Sequence, residues 1–253
     1  MTDSTFLRSY ADSIATHFAS IIEHGEQNIL AAAAAVADQV ERGDIVHVYG
    51  PGGHSNLAAQ EIFFRAGGLV NVSAVLDEGT LLSNGALRSV AMERTANYGR
   101  TVIKTLGLGA SDLMILVNAY GINAALIDAA ICTRETGATL IGVSSVQHAE
   151  NVPGDHPARH PSRSNLHDLV DIHVDSRVPL GDAILALDAV EDPFSAISTF
   201  ANAFVLQGIV AEAIAMLADR GFEPTIWRSA NAPGGDERNS RFIDDFQHRV
   251  EWL

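Results

Sequence analysis

The sequence predicts an α/β fold, a doubly wound five-stranded parallel sheet with helical extensions at both ends. Three observations carry this reading. Short apolar runs alternate with segments of helical period, which is the pattern of strands joined by helical crossovers. The first such run closes in a glycine-rich turn that opens a helix. The run at 112–117 is apolar at nearly every position, as expected of a strand covered on both faces.

In order, residues 4–41 hold no proline and one internal glycine, Gly25, and end at Arg42-Gly43, which predicts one long helix or two abutting ones. The β-branched and aromatic run 45–49 is the first strand, closed by Gly50-Pro51-Gly52-Gly53 and followed by a helix over 56–66. A second strand is expected over 69–76, mainly helix over 81–106, the third strand over 112–117 and a helix over 123–136. The fourth and fifth strands fall at 139–143 and 169–174. Between them, 151–165 holds three prolines and two histidines and reads as a functional loop. Phe194, Ile197, Ala201, Phe204 and Val205 share helical spacing, so 194–217 predicts a helix buried on most sides. The glycine- and asparagine-rich stretch 227–239 leads into a short helix over 241–250. No internal repeat or linker divides the chain, which gives one domain: an N-terminal helical extension over 1–43, a sheet core over 44–176 and C-terminal helices over 177–253.

Composition excludes several functions. The 253 residues are 47% apolar and carry 31 acidic against 16 basic side chains, a net charge of -15, which repels nucleic acid and anionic lipid. The longest apolar run, 29–37, is nine residues, against about 20 for a membrane span. The first residues lack a basic and apolar leader, which points to the cytoplasm. Cys132 is the one cysteine and reads as a buried structural thiol. Lys104 is the one lysine and sits at a helix end, where a solvated role is expected. Neither a G-x-x-x-x-G-K-[ST] run nor a G-x-G-x-x-G fingerprint occurs, which disfavours nucleotide hydrolysis and nicotinamide chemistry. No cofactor is expected.

In open parallel sheets ligands bind beyond the carboxyl ends of the strands. That rule selects residues 50–55, 77–83, 118–123 and 144–148. Gly52, Gly53, His54 and Ser55 bring backbone N–H groups to a helix start, which suits an anion; a tight structural turn is the alternative. Asn118, Tyr120, Gly121 and Asn123 repeat the arrangement, although Asn123 is also a plausible N-cap. Ser144 and Ser145 close the fourth strand.

The order and spacing of 45–174 resemble the sugar isomerase (SIS) domain family. Its G-x-G-x-S loop is similar to Gly50-Pro51-Gly52-Gly53-His54-Ser55, and its S-x-S-G-x-T phosphate loop aligns with Asn118-Ala119-Tyr120-Gly121-Ile122-Asn123. The run 137–144 looks like that family's fourth strand, and 61–68, 158–162 and 179–183 resemble a phosphosugar-isomerase-like branch. The resemblance implies a flavodoxin-like sheet that binds a phosphosugar, with Ser144 and Ser145 beside the two turns. Two departures stand out: the first loop is one residue longer, and the second replaces hydroxyl residues with Asn118, Tyr120 and Asn123. The ligand's anion is therefore open between a phosphate, a carboxylate and none.

Aldose–ketose isomerisation needs a shielded base beside a carbonyl. Glu78, just past the second strand, is the preferred base, with an exposed loop acid as the alternative. Glu61 follows the first loop by one to two helical turns, on the helix where relatives carry a glutamate. Glu93, on a helix with partners such as Asn97, reads as a solvated or salt-bridged surface acid. Histidines 148, 156, 160, 167 and 173 fall within 26 residues, but their spacing matches no standard ligand pattern, so no metal is expected. His148 and His54 are read as substrate contacts or proton donors. The expected function is a sugar-phosphate isomerase working through an enediol; a non-catalytic sugar-phosphate sensor and a lyase or etherase are the alternatives. The long N-terminal segment and the 194–217 helix suggest a homo-oligomer, dimer or tetramer.

Overall fold

The computed structural model describes residues 5–253, so the predicted helix start at Ser4 lies outside it. Helix α1 runs Thr5–Glu41 without a break. Five parallel strands follow: β1 (Val46–Tyr49), β2 (Val72–Val75), β3 (Leu113–Val117), β4 (Thr139–Ser144) and β5 (Ile172–Asp175), in spatial order β2-β1-β3-β4-β5. The order reverses between β1 and β3, where Tyr49 stands level with Leu116, and this is where a doubly wound sheet opens a crevice.

Alternation along the strands divides the core in two. Val46, Val48, Leu113, Ile115, Ile141 and Val143 face α1, α2 (Ser55–Ile62) and α7 (Ser198–Asp219). Tyr49, Met114, Leu116 and Leu140 face α4 (Tyr98–Thr105) and α5 (Ala124–Thr136) on the other side. Every residue of β3 is buried, which explains its unbroken apolar sequence. Helix α7 is long and apolar enough to span a membrane by length and composition, yet Ile209, Val210 and Ala213 pack in the core with α1. A third cluster, Ile45, Val70, Trp227, Phe246 and Val250, seats α8 (Gly235–Phe246) near the amino ends of β1 and β2.

Four segments depart from the sequence expectations. Helix α2 stops at Ile62, because Phe64 takes φ 47° and the chain turns to hydrogen-bond with Trp227. The stretch 81–106 is a one-turn 3-10 helix, then α3 (Ala86–Glu93), then α4, broken where Asn97 sits at φ 67°. The C-terminal region is not all helical: β6 (Ala183–Leu187) and β7 (Val190–Ala196) form an antiparallel hairpin, and α7 begins only at Ser198. Pro193 and the charges of β7 hide the strand signal, and proline is tolerated in a two-stranded edge. Helix α8 starts at Gly235 rather than at 241. After β4 the short helix α6 (Val146–Asn151) carries His148.

Candidate functional site

The turn after β1 is built for close approach. A Cβ on Gly50 would lie 2.2 Å from the Ser55 carbonyl oxygen, and one on Gly53 would lie 2.3 Å from Leu82. Gly52 takes φ 138°, and a Cβ there would stand 3.1 Å from the carboxyl carbon of Glu93. These glycines let the end of α3 settle onto the turn. The backbone N–H of Gly53 donates to Glu93 Oε1 at 3.3 Å. Partial burial raises the Glu93 carboxyl above its ordinary range, opposed by that hydrogen bond and by Arg94.

The turn after β3 is locked from within. Asn118 is 2% exposed. Its amide oxygen accepts from the N–H groups of Tyr120 at 2.9 Å and Gly121 at 3.0 Å, while its nitrogen donates to the Pro51 carbonyl at 3.1 Å and Ser55 Oγ at 3.3 Å. One side chain thus ties the two turns together. Asn123 is the N-cap residue of α5 but makes no side-chain cap, and its amide oxygen is buried without a partner.

Tyr120 stacks on His148 with ring centroids 4.0 Å apart and planes 22° from parallel. Burial, then Asp182 and Glu93, push the Tyr120 phenol up to about 12. Burial lowers the His148 imidazole, opposed by the Pro179 backbone and Asp182, which favours its neutral form at pH 7; its Nδ1 is buried without a partner. Asp182, at φ 69° before β6, caps α7 by accepting from the N–H groups of Ile197 at 2.9 Å and Ser198 at 2.7 Å, and from Ser198 Oγ at 2.7 Å.

These groups line one chamber of about 740 Å³ beyond the carboxyl ends of the strands. Gly52, Gly53, His54, Ser55, Asn118, Tyr120, Asn123 and His148 all lie on its wall, with Glu93, Arg94, Asp182 and Ser198. The remaining sequence candidates are placed elsewhere. Glu78 is exposed outside the chamber. Glu61 pairs with Arg65 at 3.2 Å and accepts from Gln207 at 3.3 Å, because α2 turns it toward α7. Gly121 at φ 71° packs against Ser144, whose Oγ is 3.0 Å from His173 Nε2. Ser145 caps α6, accepting from the His148 N–H at 3.1 Å and donating to the Val178 carbonyl at 2.6 Å.

Glu93 corrects the surface reading drawn from its helical neighbours, because the burial comes from the glycine turn across the chain. Asp182 lies in the run 179–183 that carries part of the resemblance but is not among the expected site residues. Its only sequence signal is the Pro179-Leu180-Gly181-Asp182 turn before the hairpin. Among the described residues no group of three or more His, Cys, Asp or Glu is arranged to hold a metal ion. His160 instead contacts Asp128 at 3.2 Å and Ser162 at 2.7 Å.

The SIS domain model matches residues 9–145. A UPF0309 protein of Halalkalibacterium halodurans is 34% identical over 247 residues, covering 98% of this chain and 97% of that one. Among solved structures, the phosphoheptose isomerase GmhA of Neisseria gonorrhoeae superposes with a TM-score of 0.58 at 12% identity, over 85% of this chain and all of that one. The NanR protein of Vibrio vulnificus complexed with ManNAc-6P gives 0.51 at 12% identity, over 97% of this chain and 70% of that one.

Proposed function

The chain belongs to the SIS domain family, and from that premise we propose that it isomerises a small sugar between aldose and ketose forms, with Glu93 as the base. The observation that carries this reading is the position of Glu93: a half-buried carboxylate on the wall of a sugar-sized chamber, tied to Gly53. Burial makes a carboxylate a stronger base than it is in water, and water exclusion protects the enediol from side reactions.

In the proposed reaction Glu93 removes the proton from the sugar's C2. The released electron pair forms the C1–C2 double bond as O1 gains a proton. Collapse of the enediol then draws the proton off O2 to make the ketone, and the proton held by Glu93 returns to C1. His148 suits the transfer between O1 and O2, since a neutral imidazole can give its one N–H proton to O1 and recover it from O2. Its stacking on Tyr120 fixes the ring plane.

The experiment is incubation in heavy water with a panel of free and phosphorylated aldoses and ketoses. Deuterium at C1 or C2 together with the isomeric product supports the reading, and Glu93→Gln should abolish both. A sugar that binds without any exchange would replace the enzyme by a sensor.

We also propose a homo-oligomer. Leu87 is 87% exposed, with Val90 and Leu82 beside it at 41% and 38%, an apolar rim next to the chamber that a second copy would cover.

A further inference from the structure

We infer that the chamber takes an unphosphorylated sugar, gripped through its hydroxyl groups, with three N–H donors of its two turns already given to the protein's own side chains. This rests on the carbohydrate reading above and names the substrate class within it.

The first ground is occupancy of the cradle. A phosphoryl group at a loop and helix start is held by backbone N–H groups that nothing else uses. After β3 two such donors, Tyr120 N–H and Gly121 N–H, are already taken by the amide oxygen of Asn118. That amide is buried and anchored at its other end by Pro51 and Ser55. A phosphate could claim the two donors only by evicting a side chain that ties both turns together. After β1 the Gly53 N–H is likewise given to Glu93.

The second ground is charge. Glu93 and Asp182 both line the chamber, and among the described residues Arg94, which is exposed, is the one arginine on its wall. The chain's single lysine, Lys104, is on α4 and away from it. A dianion entering this space would meet two carboxylates against one solvated guanidinium, with the imidazoles of His54, His148 and His156 also on the wall. A neutral sugar meets no repulsion from the carboxylates.

The third ground is what remains unsatisfied. The Glu93 carboxylate keeps acceptor capacity beyond the Gly53 N–H. It calls for donors, which sugar hydroxyls supply and a phosphate group does not. The other wall is apolar, formed by Leu82, Val90, Ile122, Val152 and Leu180, and suits the C–H faces of a sugar ring.

The test is calorimetric titration of the full chain with matched pairs, each free pentose, hexose or N-acetylhexosamine against its terminal phosphate, and with inorganic phosphate as competitor. The free member of at least one pair should bind about tenfold or more tighter than its phosphate, and inorganic phosphate should leave that affinity unchanged. Tighter binding of the phosphorylated member, or displacement by inorganic phosphate, overturns this inference and leaves the isomerase reading standing. If neither member of any pair binds and none exchanges deuterium, the carbohydrate reading fails and this inference falls with it.

Discussion

Glu93 and Gly53 are joined by a 3.3 Å hydrogen bond from the glycine N–H to the carboxylate, which fastens the last residue of α3 to the turn after β1. The contact exists because Gly52 and Gly53 have no side chains: at either position a Cβ would meet α3 or the residues leading into it. Glu93→Gln keeps the shape and removes the base, so turnover should fall by about 10²- to 10⁴-fold. Gly52→Ala must both abandon φ 138° and push against the carboxylate, and a displacement of about 1 Å can cost on the order of a hundredfold. Steady-state assays of the two variants should show the fall in kcat; wild-type turnover by Glu93→Gln would remove Glu93 from the reaction.

Burial raises the Glu93 carboxyl, and the sign of the resulting pH dependence is fixed. The base works only when ionised, so activity is lost as pH falls through its folded-state pKa, which lies above the ordinary glutamate value of about 4.3. A profile of kcat/KM against pH should show its acid limb above that value. A limb at or below it would mean that the working carboxylate is solvated.

The sheet was legible because its signals are local. Strand runs such as 112–117 and the glycine turn at 50–53 carry their meaning within a few residues. Glu93 was not legible, because its environment is made by Gly52 and Gly53, some forty residues away. Asp182 was hidden for a related reason: the hairpin around it has a proline and three acidic residues in or beside its strands, and so lacks strand periodicity. Ser144 and Ser145 stand where the strand-end rule expects ligand contacts, but their hydroxyls are spent on His173 and on the start of α6. Position in the chain located the crevice, whereas the partners that occupy each polar group decided which residues face it.

His173 supplies a stability prediction independent of catalysis. Burial, together with the neighbouring His167, brings its imidazole down to about 4 against 6.5, while Asp175 and Asp168 oppose the shift. The unfolded chain therefore takes up a proton at higher pH than the folded one does. Stability should fall as pH drops from about 6.5 toward 4, by at most about 1.4 kcal/mol per pH unit from this group. The half-buried His17 and His47 and the buried His148 act in the same direction. The contribution of His173 is thus read as a difference: denaturant titrations at several pH values should give a shallower pH dependence for His173→Gln than for the wild type. Parallel curves would show that His173 does not titrate in that window.

The exposed apolar rim formed by Leu82, Leu87 and Val90 gives the oligomer proposal its measurement. Light scattering on the purified chain should report at least a dimer, and Leu87→Glu should shift it toward monomer by placing a charge in the contact. A monomeric wild-type protein at working concentration would remove the proposal.

Two glycines in helices should respond in opposite directions to the same change. Gly99 lies where α4 crosses α5, and a Cβ there would fall 1.7 Å from the Ala125 carbonyl oxygen and 3.0 Å from the Ala129 nitrogen. Both obstacles are backbone, so relief requires the two helices to separate. Gly99→Ala should therefore destabilise by about 1–3 kcal/mol or more, a fall in Tm of about 2–4 °C for each kcal/mol in a chain of this size. Gly25 lies inside α1 with nothing within 4 Å of its would-be Cβ. There alanine reduces the freedom of the unfolded chain and favours helix, so Gly25→Ala should stabilise by about 0.5–1 kcal/mol. Thermal melts of the two variants beside the wild type test the packing of α4 on α5 directly. Equal shifts of the same sign would show that helix propensity, and not the close approach at Gly99, sets the cost.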